Sequence, residues 1–181
     1  ENINRMRLAL WYQQTVMGGL KYNRIRNPWP GHGGLAGFSK DSEGKATIHS
    51  GRGIGNNYWD LMPFGWDDLY ATNQYYAATL AMAEIERAVD ENPGWDMPLG
   101  ALKLDAGELS RHARDVKQTA NALFWNDEAG RFIASIDSDG VRHDYGYTFL
   151  NLDSIWYGLA SEEHARQIMD WISGKRIVEG E

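Results

Sequence analysis

The chain of 181 residues has a formal net charge of −7, and no basic cluster exceeds two or three residues, which argues against nucleic acid or an anionic membrane as a partner. The absence of cysteine excludes disulfides, thiolate metal sites and cysteine nucleophiles, and no apolar run approaches the roughly 20 residues of a membrane span. The composition is that of a single globular domain except for its aromatics, eight Trp and nine Tyr, which serve either as core filler or as flat faces for sugar rings.

In chain order, Ile3, Met6, Leu10 and Met17 mark one face of a predicted helix over 3–17, with Leu8, Trp11 and Tyr12 beside it. Gly18-Gly19 supplies its stop. Residues 20–66 read as a long irregular stretch of the kind that is either functional or disordered, and its many aromatics argue against disorder. The clearest helix covers 67–91, with Asp67 or Asp68 as its cap. Tyr75, Ala78, Met82, Ile85 and Val89 form one face, and Leu69, Tyr76 and Leu80 a neighbouring one, so this helix is expected to be buried on more than one side. Pro93-Gly94 ends it.

A helix over 106–125 is announced by Asp105 and Glu108 as an acidic capping box and by Leu104 and Leu109 as a hydrophobic staple. Leu109, Ala113, Val116, Ala120 and Leu123 make a single stripe, predicting a one-sided outer helix. A β-hairpin follows around 131–147, turning at Ser138-Asp139-Gly140; the acidic run there lacks the later ligands of a calcium loop. A short helix over about 150–159 precedes another capped by Ser161, with Ala165, Ile168, Met169 and Ile172 as its buried stripe. Alternating two-sided and one-sided helices are what two concentric layers require. Glu1 opens directly into a helical pattern and "GKRIVEGE" follows the last element, so the chain reads as one piece, 1–181, of a longer protein.

Two stretches carry a resemblance: "GNNYWDLMPFGWDDLYATNQYYAATLAMAEIE" and "FWNDEAGRFIASIDSDGVRHDYGYTFLNLDSIWYGLASEEHARQIMDWI". They resemble the six-hairpin glycosidases, whose catalytic domain is an (α/α)6 toroid. Tyr58-Trp59-Asp60 looks like the aromatic loop that carries an acid before an inner helix, and "YGLASEEHARQIMDWI" looks like the inner-to-outer helix turn. The resemblance implies a mainly all-α fold, a partial toroid of two to three hairpins, with the rest of the toroid outside this sequence. It also implies a glycoside hydrolase, inverting as most of that superfamily are, with residues 20–66 as an active-site loop region.

Glycoside hydrolysis needs two carboxylates flanking the scissile bond. Asp60, between Trp59 and Leu61, is the candidate general acid, because an apolar setting keeps a carboxyl protonated; the alternative is an Asp bracing its loop. Asp144 is a weaker candidate base, against an ion pair with Arg142, and the second carboxylate is expected beyond residue 181. Tyr58, Trp59, Trp66, Tyr145 and Tyr147 are the expected stacking rings, with Arg52, Asn56 and Asn57 as hydroxyl partners. No two histidines show metal-ligand spacing, so neither metal nor cofactor is expected. The expected partners are a carbohydrate and the remainder of the toroid. Apolar helix faces left uncovered would favour self-association. Two other readings stay open. One is an epimerase or polysaccharide lyase using His49, His143 or Tyr145 as base; the other is a non-catalytic carbohydrate-binding helical module.

Overall fold

The computed structural model of the protein describes residues 2–27, 38–40, 42–48, 66–98, 100 and 102–180. It is mainly helical with small antiparallel sheets. Helix α1 (Asn2–Thr15) ends at Gly18, whose φ of 77° is left-handed, and a short α2 (Gly19–Tyr22) follows. Gly19 permits a close approach, since a Cβ there would fall 2.5 Å from the Tyr75 ring. Strands β1 (Phe38–Lys40) and β2 (Ala46–Ile48) pair antiparallel, so the stretch predicted as irregular contains a short helix and a hairpin.

Strand β3 (Asp67–Asp68) leads directly into α3 (Leu69–Glu91). The predicted start at residue 67 is therefore early by two, because Asp67 is committed to the sheet. Asp68 is the cap, accepting from Ala71 N at 3.1 Å. A single 3₁₀ turn (Pro93–Trp95) precedes α4 (Ala106–Leu123), whose cap Asp105 accepts from Glu108 N at 2.7 Å. The Glu108 carboxylate pairs with Arg111 rather than reaching back. Leu109, Ala113, Val116 and Ala120 are buried as a single stripe, as predicted.

Strands β4 (Trp125–Asn126) and β5 (Arg131–Phe132) form a hairpin that the sequence analysis missed. Strands β6 (Ser135–Ile136) and β7 (Arg142–His143) form the predicted one, with Gly140 at φ 87° in its turn. Helix α5 (Thr148–Trp156) and helix α6 (Glu162–Ile172) close the chain. Ser161 caps α6, accepting from His164 N at 3.0 Å. On α6 only Ile168 is fully buried, and Met169 is exposed, so the predicted four-residue stripe is narrower than expected.

Helix α3 is the centre of the assembly. It packs against α1, α4 and α5, while α4 touches chiefly α3. The buried face of α1 differs from expectation: it is Ile3, Arg7, Leu10 and Gln14, while Met6, Leu8, Trp11 and Tyr12 are exposed. The reason is a buried ion pair. Arg7 Nε and Nη2 donate to the two oxygens of Glu86 at 2.5 and 2.7 Å, and both side chains are fully buried. Arg7 Nη1 donates to the Pro98 carbonyl at 2.5 Å, and Glu86 Oε1 accepts from Leu104 N at 3.2 Å. One pair thus ties the start of α1, the end of α3 and the approach to α4.

Buried amides hold the other joints. Asn73 on α3 exchanges hydrogen bonds with Ser154 on α5 at 3.0 and 3.1 Å. Asn151 accepts from Phe132 N at 2.8 Å and donates to Phe132 O at 3.2 Å, as a neighbouring strand would. Asn121 donates to Leu159 O at 2.7 Å and accepts from Ser161 N at 3.0 Å, clamping the α5–α6 turn onto α4.

Removing one partner of a buried pair strands the other charge, which costs about 3–5 kcal/mol, whereas replacing both by apolar residues costs much less. Arg7→Met is therefore expected to destabilise by about that amount, and Arg7→Met with Glu86→Leu by less. Urea unfolding measures both; equal midpoints for Arg7→Met and the parent would remove the pair from its anchoring role.

Candidate functional site

The site is built where the chain turns from β3 into α3. In the three-stranded sheet β3–β6–β7, Asp67 lies opposite Ile136 and Asp68 opposite Ser135, while Ser135 lies opposite His143 and Ile136 opposite Arg142. Opposed residues share a face and successive residues alternate. Asp68, Ser135 and His143 therefore share one face, and the same alternation carries Trp66 and Asp137 onto it. Asp67, Ile136 and Arg142 take the other.

Past β7 every second residue is a ring. His143 and Tyr145 stack with centroids 5.6 Å apart, Tyr145 and Tyr147 follow at 5.3 Å, and Tyr147 and Phe149 at 5.3 Å. Tyr70, in the first turn of α3, meets Phe149 edge-on at 6.3 Å. Gly146, at φ 62°, turns the chain between Tyr145 and Tyr147, and Phe149 already lies in α5, so the successive ring contacts are what make this row a continuous aromatic ledge, half-buried against the core. At its head, Asp137 Oδ2 lies 3.0 Å from His143 Nε2. Burial pushes the Tyr145 hydroxyl up to about 12, helped by Tyr147 and Asp137, and burial also raises Tyr147.

The opposite edge of the sheet is basic. Arg26 forms an isolated bridge with Asp67, extending the sheet by one residue. Arg24 Nε and Nη2 donate to the two Asp67 oxygens at 2.6 and 3.0 Å, and Arg24 Nη1 donates to Tyr22 O at 2.9 Å. Arg26 Nε reaches Asp67 Oδ1 at 2.8 Å, and its guanidinium sits 3.8 Å from the Tyr22 ring and 5.1 Å from the Trp66 ring. The Lys21 ammonium lies 4.9 Å from the same Tyr22 ring. Hydrogen bonding from Lys21, the Lys21 charge, and then hydrogen bonding and charge from Arg26 hold the Tyr22 hydroxyl below its ordinary value against the opposing effect of burial.

Of the residues named from sequence, Trp66, Tyr145 and Tyr147 are brought to one small sheet. Asp60, Arg52, Asn56, Asn57, Tyr58 and Trp59 lie outside the described residues. The Asp144 carboxylate is instead engaged by the β4–β5 hairpin. Its oxygens accept from Arg131 Nε at 2.9 Å, Asn126 Nδ2 at 2.9 Å and Gly146 N at 3.1 Å. Its ion-pair partner is thus Arg131 and not the predicted Arg142, which instead donates to the Leu123 and Trp125 carbonyls. Asp144 also borders a cavity of about 330 Å³ with Glu128, Arg131 and Glu179. Of Asp67 and Asp68, one caps α3 as expected, and the other is neutralised by arginine.

Sequence reasoning missed Arg26 and Asp137. The run "KYNRIR" before the loop and the every-second-residue rings at 143–149 were the available signals. A separate cavity of about 430 Å³ between α1 and α4 includes His112, whose Nε2 hydrogen-bonds Tyr75 OH at 2.6 Å. Burial lowers the His112 pKa and raises that of Tyr75, so both are neutral and the pair is a packing contact. Among the described residues no three His, Asp or Glu side chains gather as metal ligands, and no helix is long and apolar enough to cross a membrane. A scan of protein families finds none that matches this chain, and a search of curated proteins finds no significant match.

The ledge carries a pH signature. An unfolded tyrosine ionises near pH 10, whereas Tyr145 in the fold ionises at about 12. Between these values the unfolded chain has lost a proton that the folded protein keeps, so stability falls as pH rises from about 10 to about 12. Tyr145→Phe is expected to shallow that decline, and urea unfolding across this range measures it; an unchanged slope would contradict the burial of this hydroxyl.

Proposed function

We propose that this chain is part of the catalytic domain of a glycoside hydrolase, an inverting enzyme built as an (α/α)6 toroid. The observation that carries the reading is the aromatic ledge from His143 to Phe149, on the sheet that also holds Trp66. Flat apolar rings with polar rims match sugar faces and their hydroxyls. The sheet sits at the head of α3, next in the chain to the segment carrying Asp60. In this reading Asp60 is the general acid, and Tyr58, Trp59, Arg52, Asn56 and Asn57 complete the saccharide subsites.

The helical arrangement supports the toroid. α3 is a central helix backed by the one-sided α4, as an inner helix is by its outer partner. Apolar side chains stand exposed at both edges of the array: Met6, Leu8 and Trp11 on α1, and Leu152 and Trp156 on α5, with Trp156 84% exposed. Neighbouring hairpins of a complete toroid would cover them.

A second reading has its own observation. The His143 imidazole is stacked on Tyr145 with the Asp137 carboxylate 3.0 Å from its Nε2, a setting for the imidazole base that an epimerase or polysaccharide lyase requires. A lyase releases an unsaturated uronide with an ultraviolet absorbance, and a hydrolase does not.

Asp60→Asn is expected to lower kcat by roughly 10²–10⁴ with little change in KM, the usual weight of general acid catalysis. Tyr145→Ala and Tyr147→Ala are expected to weaken oligosaccharide binding roughly tenfold each, as lost stacking contacts do. Steady-state kinetics and calorimetry on the protein with glycoside substrates read both. Full turnover by Asp60→Asn would end its role as the acid; unaltered binding by both tyrosine variants would end the ledge's role in saccharide recognition.

A further inference from the structure

The basic edge of the sheet is arranged around a phenol. Tyr22 closes α2, and Gly18 leaves its ring room: a Cβ there, already strained at φ 77°, would fall 2.6 Å from Tyr22 Cδ2. The Tyr22 backbone is tied at both ends, its N donating to Gly18 O at 2.9 Å and its O accepting from Arg24 Nη1 at 2.9 Å. Three cations stand about the ring: the Arg26 guanidinium at 3.8 Å, the Lys21 ammonium at 4.9 Å and the Arg24 guanidinium at 5.7 Å. Lys21 and Arg26 also hydrogen-bond the hydroxyl.

The two arginines are fixed in place. Asp67, buried in the sheet, accepts from Arg24 at 2.6 and 3.0 Å and from Arg26 Nε at 2.8 Å. One buried carboxylate therefore sets two guanidinium groups beside the same ring. A nearby cation, or a hydrogen bond to the oxygen, favours phenolate over phenol, and donors positioned in advance need no reorganisation to do so. Lys21 and the two arginines outnumber Asp67, the carboxylate that pairs with the arginines, and the Tyr22 hydroxyl is held below its ordinary value. Tyr75, Tyr76, Tyr145 and Tyr147 contrast with it, since burial raises all of them. Tyr22 is also partly exposed, so a reagent in solution reaches it.

We propose that Tyr22 is a reactive tyrosine, a nucleophilic phenol that takes acyl or sulfonyl groups from activated donors ahead of the other described tyrosines. The phenolic proton passes to water or a buffer base. The phenolate oxygen then attacks the carbonyl carbon or sulfonyl sulfur of the donor, forming an O–C or O–S bond, and the leaving group departs with the electron pair of the bond that breaks. Lys21 and Arg26 enlarge the anionic fraction before the attack. Their hydrogen bonds also temper the oxygen, but, as with thiols, nucleophilicity falls less steeply than the anionic fraction grows. The reactivity of Tyr22 is independent of the saccharide reading and of the bond that a hydrolase or lyase would break.

The test is acetylation of the folded protein by limiting N-acetylimidazole near neutral pH, with the modified residues located by peptide mass spectrometry. Hydroxylamine removes acetyl from a tyrosine oxygen and leaves it on a lysine nitrogen, which separates a Tyr22 ester from a Lys21 amide. Tyr22 is expected to react roughly threefold or more faster than Tyr12, because the rate follows the anionic fraction, although Tyr12 is itself 47% exposed. Tyr145 and Tyr147 are expected to react slowest. Lys21→Gln and Arg26→Gln each slow Tyr22 toward the Tyr12 rate, and added salt narrows the gap. Arg26→Gln also removes a partner of Asp67, so circular dichroism establishes that each variant is folded, and the comparison of Tyr22 with Tyr12 in the parent stands without the variants. A Tyr22 rate no greater than that of Tyr12, or one untouched in both folded variants, overturns the reactive phenol and leaves Tyr22 as a packing residue of the α2 turn.

Discussion

Two adjacent buried carboxylates at the head of α3 organise the turn from β3 into that helix. Asp68 ends the strand by capping the helix, satisfying a backbone amide that would otherwise be orphaned. Asp67 stays in the sheet and gathers the two arginines that follow α2. A charge this buried is tolerated only when paired, so the position of Asp67 dictates where residues 24–26 must run. The backbone agrees: Ile25 N donates to Thr72 Oγ1 at 3.1 Å, and Asp68 N to Ile25 O at 3.3 Å. Segment, strand and helix are locked by the same few groups, and the aromatic ledge is referenced to them through β6 and β7.

The opposite end of α3 uses the same device. The Arg7–Glu86 pair makes a polar side chain the centre of the α1 interface, and its remaining donor and acceptor sites are taken by backbone groups near 98 and 104. Between the two ends, asparagines do the joining. Asn73, Asn121 and Asn151 each bind two segments distant in sequence, and each is positioned by a helix that also carries an apolar stripe. Burying an amide is favourable only when its hydrogen bonds are completed, so these joints confer a specific register on helices whose apolar contacts alone would tolerate sliding.

Features whose causes are local were legible before any coordinates. The start of α4 announced itself in Asp105, Glu108 and the leucine staple, and its stripe followed from a 3.6-residue period. The turn at Ser138–Gly140 and the cap at Ser161 are likewise local. Where the partner is distant, the reading failed. Of the α1 face predicted as Ile3, Met6, Leu10 and Met17, Ile3 and Leu10 are buried and Met17 packs against the core, but Met6 is exposed and Arg7 is buried since Glu86 waits 79 residues away. Asp144 was matched to Arg142, its neighbour but one, whereas the arginine that reaches it is 13 residues earlier on β5. Arg26 carried little signal, because its carboxylate partner Asp67 lies 41 residues away.

Alternation and capping are properties of a few consecutive residues, and they are decided by backbone geometry that every chain shares. The sequence by itself therefore determined the longer helices α1, α3, α4, α5 and α6, the turn at Ser138–Gly140 and the recurrence of rings at positions 143, 145, 147 and 149. Which polar groups are buried, and which arginine meets which carboxylate, depends on charges brought together from separate elements. Only the tertiary structure decided that, because the desolvation that makes such pairings obligatory exists only after the segments have packed.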